Sequence, residues 1–97
     1  MRILRHQVAI TDYQEIEIPE GQLLSVAVSR TLPNTAIDLW SLDMENGYNE
    51  LHAIWIVGTG NTFPAQLAKP VIGRREFIGT VVTPSGLVWH VFEGARR

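Results

Sequence analysis

Apolar and polar residues alternate with period two along most of this chain. In Glu15-Ile16-Glu17-Ile18 and in Leu24-Ser25-Val26-Ala27-Val28-Ser29 the apolar residues fall on one side and polar or small ones on the other. That is the pattern of a strand with one buried face. Between them Pro19-Glu20-Gly21 joins a preset φ to a residue that accepts a positive one, so the two strands are expected to form a hairpin. Arg5 to Ile10 reads as a preceding strand with Val8 and Ile10 inward, connected through Thr11-Asp12. After the break at Leu32-Pro33-Asn34-Thr35, Ala36 to Leu42 is a fourth strand carrying Trp40. Asn46-Gly47 then predicts a second hairpin, returning along Leu51 to Val57. This return strand is apolar on both faces, with Leu51, Ala53, Trp55 and Val57 on one and Ile54 and Ile56 on the other. It is therefore expected at the centre of a sheet, covered on both sides.

The loop Gly58-Thr59-Gly60 follows that strand. Pro64 to Lys69 is the stretch with helix propensity, with Pro64 suited to a first turn and Pro70 limiting the length. Glu76 to Val82 and Leu87 to Glu93 pair across Thr83-Pro84-Ser85-Gly86, a type II turn by composition. Together these elements predict an all-β fold: a small antiparallel sandwich or barrel of about seven strands with one short helix after the Gly58–Gly60 loop. Residues 1–97 read as a single domain, since a chain this short builds one core. Trp40, Trp55 and Trp89 lie in three different strands and are expected in the core, with one indole N–H at a rim where it finds a partner.

Composition narrows the chemistry. The absence of cysteine removes disulfides, thiolate metal sites and a cysteine nucleophile, and suits a reducing cytoplasm. Neither a signal-peptide core nor an apolar run of membrane-spanning length is present, so a soluble, unexported protein is expected, with no membrane partner. A net charge of −2 gives no reason to expect duplex nucleic acid as a partner. The charges are unevenly placed: eight carboxylates stand against Arg30 alone between Asp12 and Glu50, whereas Lys69, Arg74, Arg75, Arg96 and Arg97 outnumber Glu76 and Glu93 towards the other end. Such a split suits head-to-tail association, or an anion on the basic side.

The glycine loop has the composition that lets backbone amides approach an anion. It lacks the Lys-Ser/Thr pair of a phosphate loop and a third glycine, so by itself it is a weak signal, and a strand-to-loop corner needing glycine dihedrals is the simpler explanation. Its context lifts the anion reading: Thr59, Asn61 and Thr62 add donors, and Arg74-Arg75 follow shortly after. His6, His52 and His90 lie singly on separate strands without local metal-site spacing, so no metal is expected. Glu15 and Glu17 read as a solvated strand edge, Ser85 as a turn residue, and no nucleophile elbow occurs, so no catalytic residue is assigned.

The segments Ile10-Thr11-Asp12-Tyr13-Gln14-Glu15-Ile16-Glu17-Ile18-Pro19-Glu20-Gly21, Gly58-Thr59-Gly60-Asn61 with Pro64, Phe77-Ile78-Gly79-Thr80-Val81 and Leu87-Val88-Trp89-His90-Val91-Phe92-Glu93 together resemble a family of small phage and prophage proteins of unassigned function. The resemblance covers most of the chain and carries no catalytic residues; the Arg30 to Thr35 connection is longer than the pattern has. In organisation the chain is also similar to phage proteins that sequester nucleotide-derived immune signals of the host. The expectation is thus a non-catalytic, cofactor-free homo-oligomer in the host cytoplasm whose pockets, between subunits, hold a small anionic ligand of that kind. In it Gly58, Thr59, Gly60, Asn61 and Thr62 would meet phosphate oxygens, Arg74 and Arg75 would neutralise charge, and Trp55 or Trp89 would stack. The alternative is a protein-interaction module that inhibits a host protein or belongs to a virion, with a small hydrolase a distant third.

Overall fold

The computed structural model describes residues 1–68 and 75–97. It contains β1 (Arg2–Ala9), β2 (Tyr13–Pro19), β3 (Leu23–Val28), β4 (Ala36–Asp43), β5 (Asn49–Gly58), α1 (Ala65–Ala68), β6 (Glu76–Val82) and β7 (Val88–Glu93). The strands form two antiparallel sheets, ordered β1-β4-β3 and β2-β5-β7-β6. Of the two expected architectures the chain adopts the sandwich: among the described residues the sheets do not close into a barrel.

Two expected hairpins are corrected. β2 pairs with β5 and β3 with β4, so the Pro19-Glu20-Gly21 turn carries the chain from one sheet to the other. This corner lies against the end of β4, where Leu42 donates its N–H to Gln22 at 2.8 Å and Met44 donates to Glu20 at 3.1 Å. A Cβ on Gly21 would collide with the Leu42 carbonyl, which is why glycine stands there. Asn46-Gly47 makes its turn, with Gly47 at φ 82° and Tyr48 N–H donating to Asn46 Oδ1 at 3.0 Å. It too leads across, because β4 already has β1 and β3 as neighbours and β5 has β2 and β7. The third expected hairpin, β6-β7, is present.

Alternation decides what the sheets bury. Val8, Ile37 and Leu39 from the first sheet meet Ile18, Ile54, Ile56, Val81 and Val91 from the second, with Leu23 completing the cluster. Each such side chain contributes roughly 1.5–3 kcal/mol on burial. Exposed ion pairs such as Arg2 with Glu45 contribute about 0–1 kcal/mol, so apolar packing holds the layers together. β5 is central in its sheet, and Ala53 to Val57 are buried on both faces as expected, although Leu51 is exposed. Its outer face is covered by Leu67 of α1 together with Tyr13 and Phe92, a second cluster built around Trp55 and Val57. On the outer face of the first sheet, buried Asp38 pairs with Arg5 at 3.0 Å and Arg30 at 3.6 Å. No helix among the described residues is long and apolar enough to cross a membrane.

Candidate functional site

β5 ends in a tight turn. The Asn61 N–H donates to the Gly58 carbonyl at 3.0 Å, and Gly60, third of the four residues, has φ 86°, as a type II turn requires. The Thr59 N–H donates to the Val88 carbonyl at 3.1 Å. Two of the loop amides expected to meet phosphate are therefore bonded within the chain. What the corner presents outward is side chains: Thr59, Asn61 and Thr62 are exposed. Gly58 itself is buried, and a Cβ there would sit 2.7 Å from Asn61 Nδ2 and 3.1 Å from the Trp89 ring, so its bareness lets both groups close over the strand end.

Two clefts flank this turn. A cleft of about 350 Å³ is lined by Trp55, Gly58, Asn61 and Thr62 together with Asp12 and Arg97. A smaller one of about 250 Å³ is lined by Gly58, Thr59, Asn61, Leu87 and Trp89. Beside them Thr59 Oγ1 lies 2.7 Å from His90 Nε2, and His90 Nδ1 lies 3.0 Å from Thr80 Oγ1, so both ring nitrogens are held by hydroxyls. Among the described residues Trp89 Nε1 is a buried donor without a hydrogen-bond partner, whereas Trp55 Nε1 donates to the Ala95 carbonyl at 3.0 Å.

The fold thus gathers Trp55, Gly58, Thr59, Asn61, Thr62 and Trp89 around one corner, with Gly60 at its tip. It sends Arg75 elsewhere: the guanidinium donates to the Leu67 carbonyl at 3.2 Å and lies 5.6 Å from the Phe63 ring centre. Arg74 lies outside the described residues. The cation that lines the larger cleft is Arg97, with its guanidinium 5.8 Å from the Trp55 ring centre and 5.6 Å from that of Tyr13. Tyr13 and Trp55 meet edge to face at 4.6 Å, and the Tyr13 hydroxyl accepts the Arg97 backbone N–H at 2.9 Å. The end of the chain is thereby laid along the outer face of β5.

A family model described as a domain of unknown function, DUF7352, matches residues 1–97. The chain belongs to this family. No curated protein and no solved structure matches it. Within this DUF7352 domain, sequence reasoning missed Arg97, Tyr13 and Asp12 as cleft residues. No local signal pointed to them: Tyr13 comes to lie opposite Trp55 through the long-range pairing of β2 with β5, which the turn at Pro19-Glu20-Gly21 did not announce.

Proposed function

We propose that the chain is a non-catalytic binding domain that holds a small anionic, nucleotide-derived ligand in the larger cleft beside the Gly58 turn. The observation that carries this reading is the Arg97 guanidinium, stacked over Trp55 and Tyr13 at the cleft and in no ion pair among the described residues. A guanidinium so placed offers forked donors to a phosphate. Asp12 supplies acceptor oxygens for sugar hydroxyls, and Asn61, Thr62 and Gln66 supply neutral donors. A cleft of about 350 Å³ is of the size that small ligands occupy. The resemblance to phage proteins and the uneven charge support the fuller proposal: a phage-encoded oligomer that sequesters a host signal. Calorimetry with ADP-ribose and cyclic dinucleotides tests it, with Arg97→Ala expected to weaken binding by about ten-fold or more. Absence of heat with every such ligand, for a folded sample, sinks the reading.

A second reading, a protein-interaction module, is supported by the outer face of the first sheet, where Ile3, Leu24 and Trp40 line an apolar groove and Ile3 is 64% exposed. A protein partner is the occupant this reading requires. Ile3→Asp with Leu24→Asp is expected to abolish capture of such a partner; capture unchanged by both refutes it.

A further inference from the structure

The outer face of the second sheet carries a row of aromatic rings at one level. Register sets Tyr13 opposite Trp55, Trp55 opposite Phe92 and Phe92 opposite Phe77, so each of the four strands contributes one ring. Three strand spacings of about 4.8 Å make the row roughly 14 Å long. The loop after β5 adds Phe63, whose ring centre lies 5.5 Å from that of Phe92. Leu67 and the Arg97 guanidinium cover Trp55 in the middle of the row. Towards β6 the row opens. Phe77 is 57% exposed and Phe63 39%, and half-buried Phe92 stands between them with its ring centre 5.3 Å from that of Phe77. The solvent face of an antiparallel sheet is ordinarily polar, so a contiguous group of rings left in water marks a binding surface.

The charges around the open rings say what kind of partner. Arg75 is exposed beside the first residue of β6, with its guanidinium 5.6 Å from the Phe63 ring centre. One of its N–H groups donates to the Leu67 carbonyl, and among the described residues it forms no ion pair. No outward position of β5, β7 or β6 holds a carboxylate: Glu50, Glu76 and Glu93 lie on the inner side of their strands, the side of Ile54 and Val91. The outward carboxylates Glu15 and Glu17 belong to β2, at the opposite edge of the sheet. Beyond the Phe92-Phe77 pair the next outward pair is His90 with Thr80, joined at 3.0 Å, so the rings border polar groups and not acids.

An exposed guanidinium among open rings, with acids kept away, suits a polyanion that offers flat apolar faces. Unpaired bases stack on aromatic rings while the phosphates between them pair with arginine. A duplex hides those faces, and a chain of net charge −2 has no general means of holding its backbone. We propose that the β6 side of this face binds single-stranded nucleic acid, with bases stacked on Phe77 and Phe63 and a phosphate on Arg75. None of these three residues lines either cleft beside Gly58, so the site is separate from the one assigned to a small anion. Stacking is indifferent to base identity, so sequence preference is weak.

Fluorescence anisotropy of the full chain with labelled oligouridine, oligothymidine and a duplex hairpin tests the proposal. Saturable binding of a single strand is expected, tighter than that of the hairpin and weakened by salt. Phe77→Leu keeps apolar bulk without the flat ring and is expected to weaken binding roughly ten-fold, within what one stacked base supplies, whereas Phe77→Tyr is expected to retain it. Arg75→Gln is expected to lower the slope of log affinity against log salt by about 0.7, the loss of one phosphate contact. Heat from ADP-ribose should be unchanged in Phe77→Leu, which separates failure here from failure of the Gly58 cleft. Absence of binding to either strand by the folded protein overturns the proposal and leaves the rings to an apolar protein partner. Equal binding of the hairpin overturns it too, as does an affinity indifferent to both Phe77→Leu and Arg75→Gln.

Discussion

Leu67 is the side chain through which the short helix reports on the rest of the molecule. It is fully buried against Trp55 and Val57, and its Cδ2 lies 2.5 Å from where a Cβ on Gly94 would be. Truncating such a leucine to alanine costs about 2–5 kcal/mol, depending on how far the site collapses. Since α1 has four residues and no buried side chain besides Leu67, it can settle partly into the space. Leu67→Ala is therefore expected in the lower part of that range, about 2–3 kcal/mol. In a domain of this size that is a fall in Tm on the order of 10–20 °C. Thermal and urea unfolding followed by tryptophan fluorescence measures it, since Trp55 reports the contact directly. Leu67→Met, close in volume, should cost less than about 1.5 kcal/mol. Because Pro64 and Gln66 line the larger cleft, ligand binding should weaken in Leu67→Ala under conditions where it remains folded. A loss below about 1 kcal/mol would refute the claim that this helix seals the outer face of β5.

Three further outcomes follow from the packing and the titrating groups. Gly21→Ala forces a Cβ into the Leu42 carbonyl and should destabilise the protein far more than Gly86→Ala, where no atom lies within 4 Å of the added group; chemical denaturation compares them. Arg5→Ala leaves buried Asp38, among the described residues, with only the longer Arg30 contact and should cost on the order of 3 kcal/mol, measured the same way. Buried His52 and half-buried His6 predict a stability maximum near pH 6.5. His52, its pKa raised against the opposing effect of burial by Glu93 and Glu50, contributes stability present below 6.5 and lost as pH rises through its folded pKa. His6, lowered by burial and by the charge of His52, contributes stability present above 6.5 and lost as pH falls through its folded pKa. Tm measured across this range should lose its upper decline in His52→Gln and keep its lower one.

The strands were legible because each has one or two faces whose apolar period is local. β5 declared its central place through Ala53 to Val57, and β6-β7 declared its hairpin through a turn that also fits the sheet order. The other two turns were recognised as turns but assigned to the wrong connection. Turn chemistry fixes the bend, whereas the strand that the chain next meets depends on which neighbours are already taken. The crowding of Gly21 against Leu42 is a contact between residues far apart in sequence, and no local pattern shows it. The candidate site divides in the same way. The turn residues lie together in sequence and were found together. Arg97 reaches Trp55 only because the chain end folds back over β5, and the proximity rule that favoured Arg75 failed when that guanidinium turned to the Leu67 carbonyl. His52 and Glu93, on strands β5 and β7, read as isolated groups until the sheet brought them together.

The most direct test of the anion cleft is an amide and indole NMR titration of the ¹⁵N-labelled protein with ADP-ribose. The predicted result is saturable shifts at Asn61, Thr62 and the Trp55 indole N–H, absent in Arg97→Ala, with residues around His52 unmoved. Shifts confined to the His52 end of the sandwich, or none at saturating ligand, would contradict it.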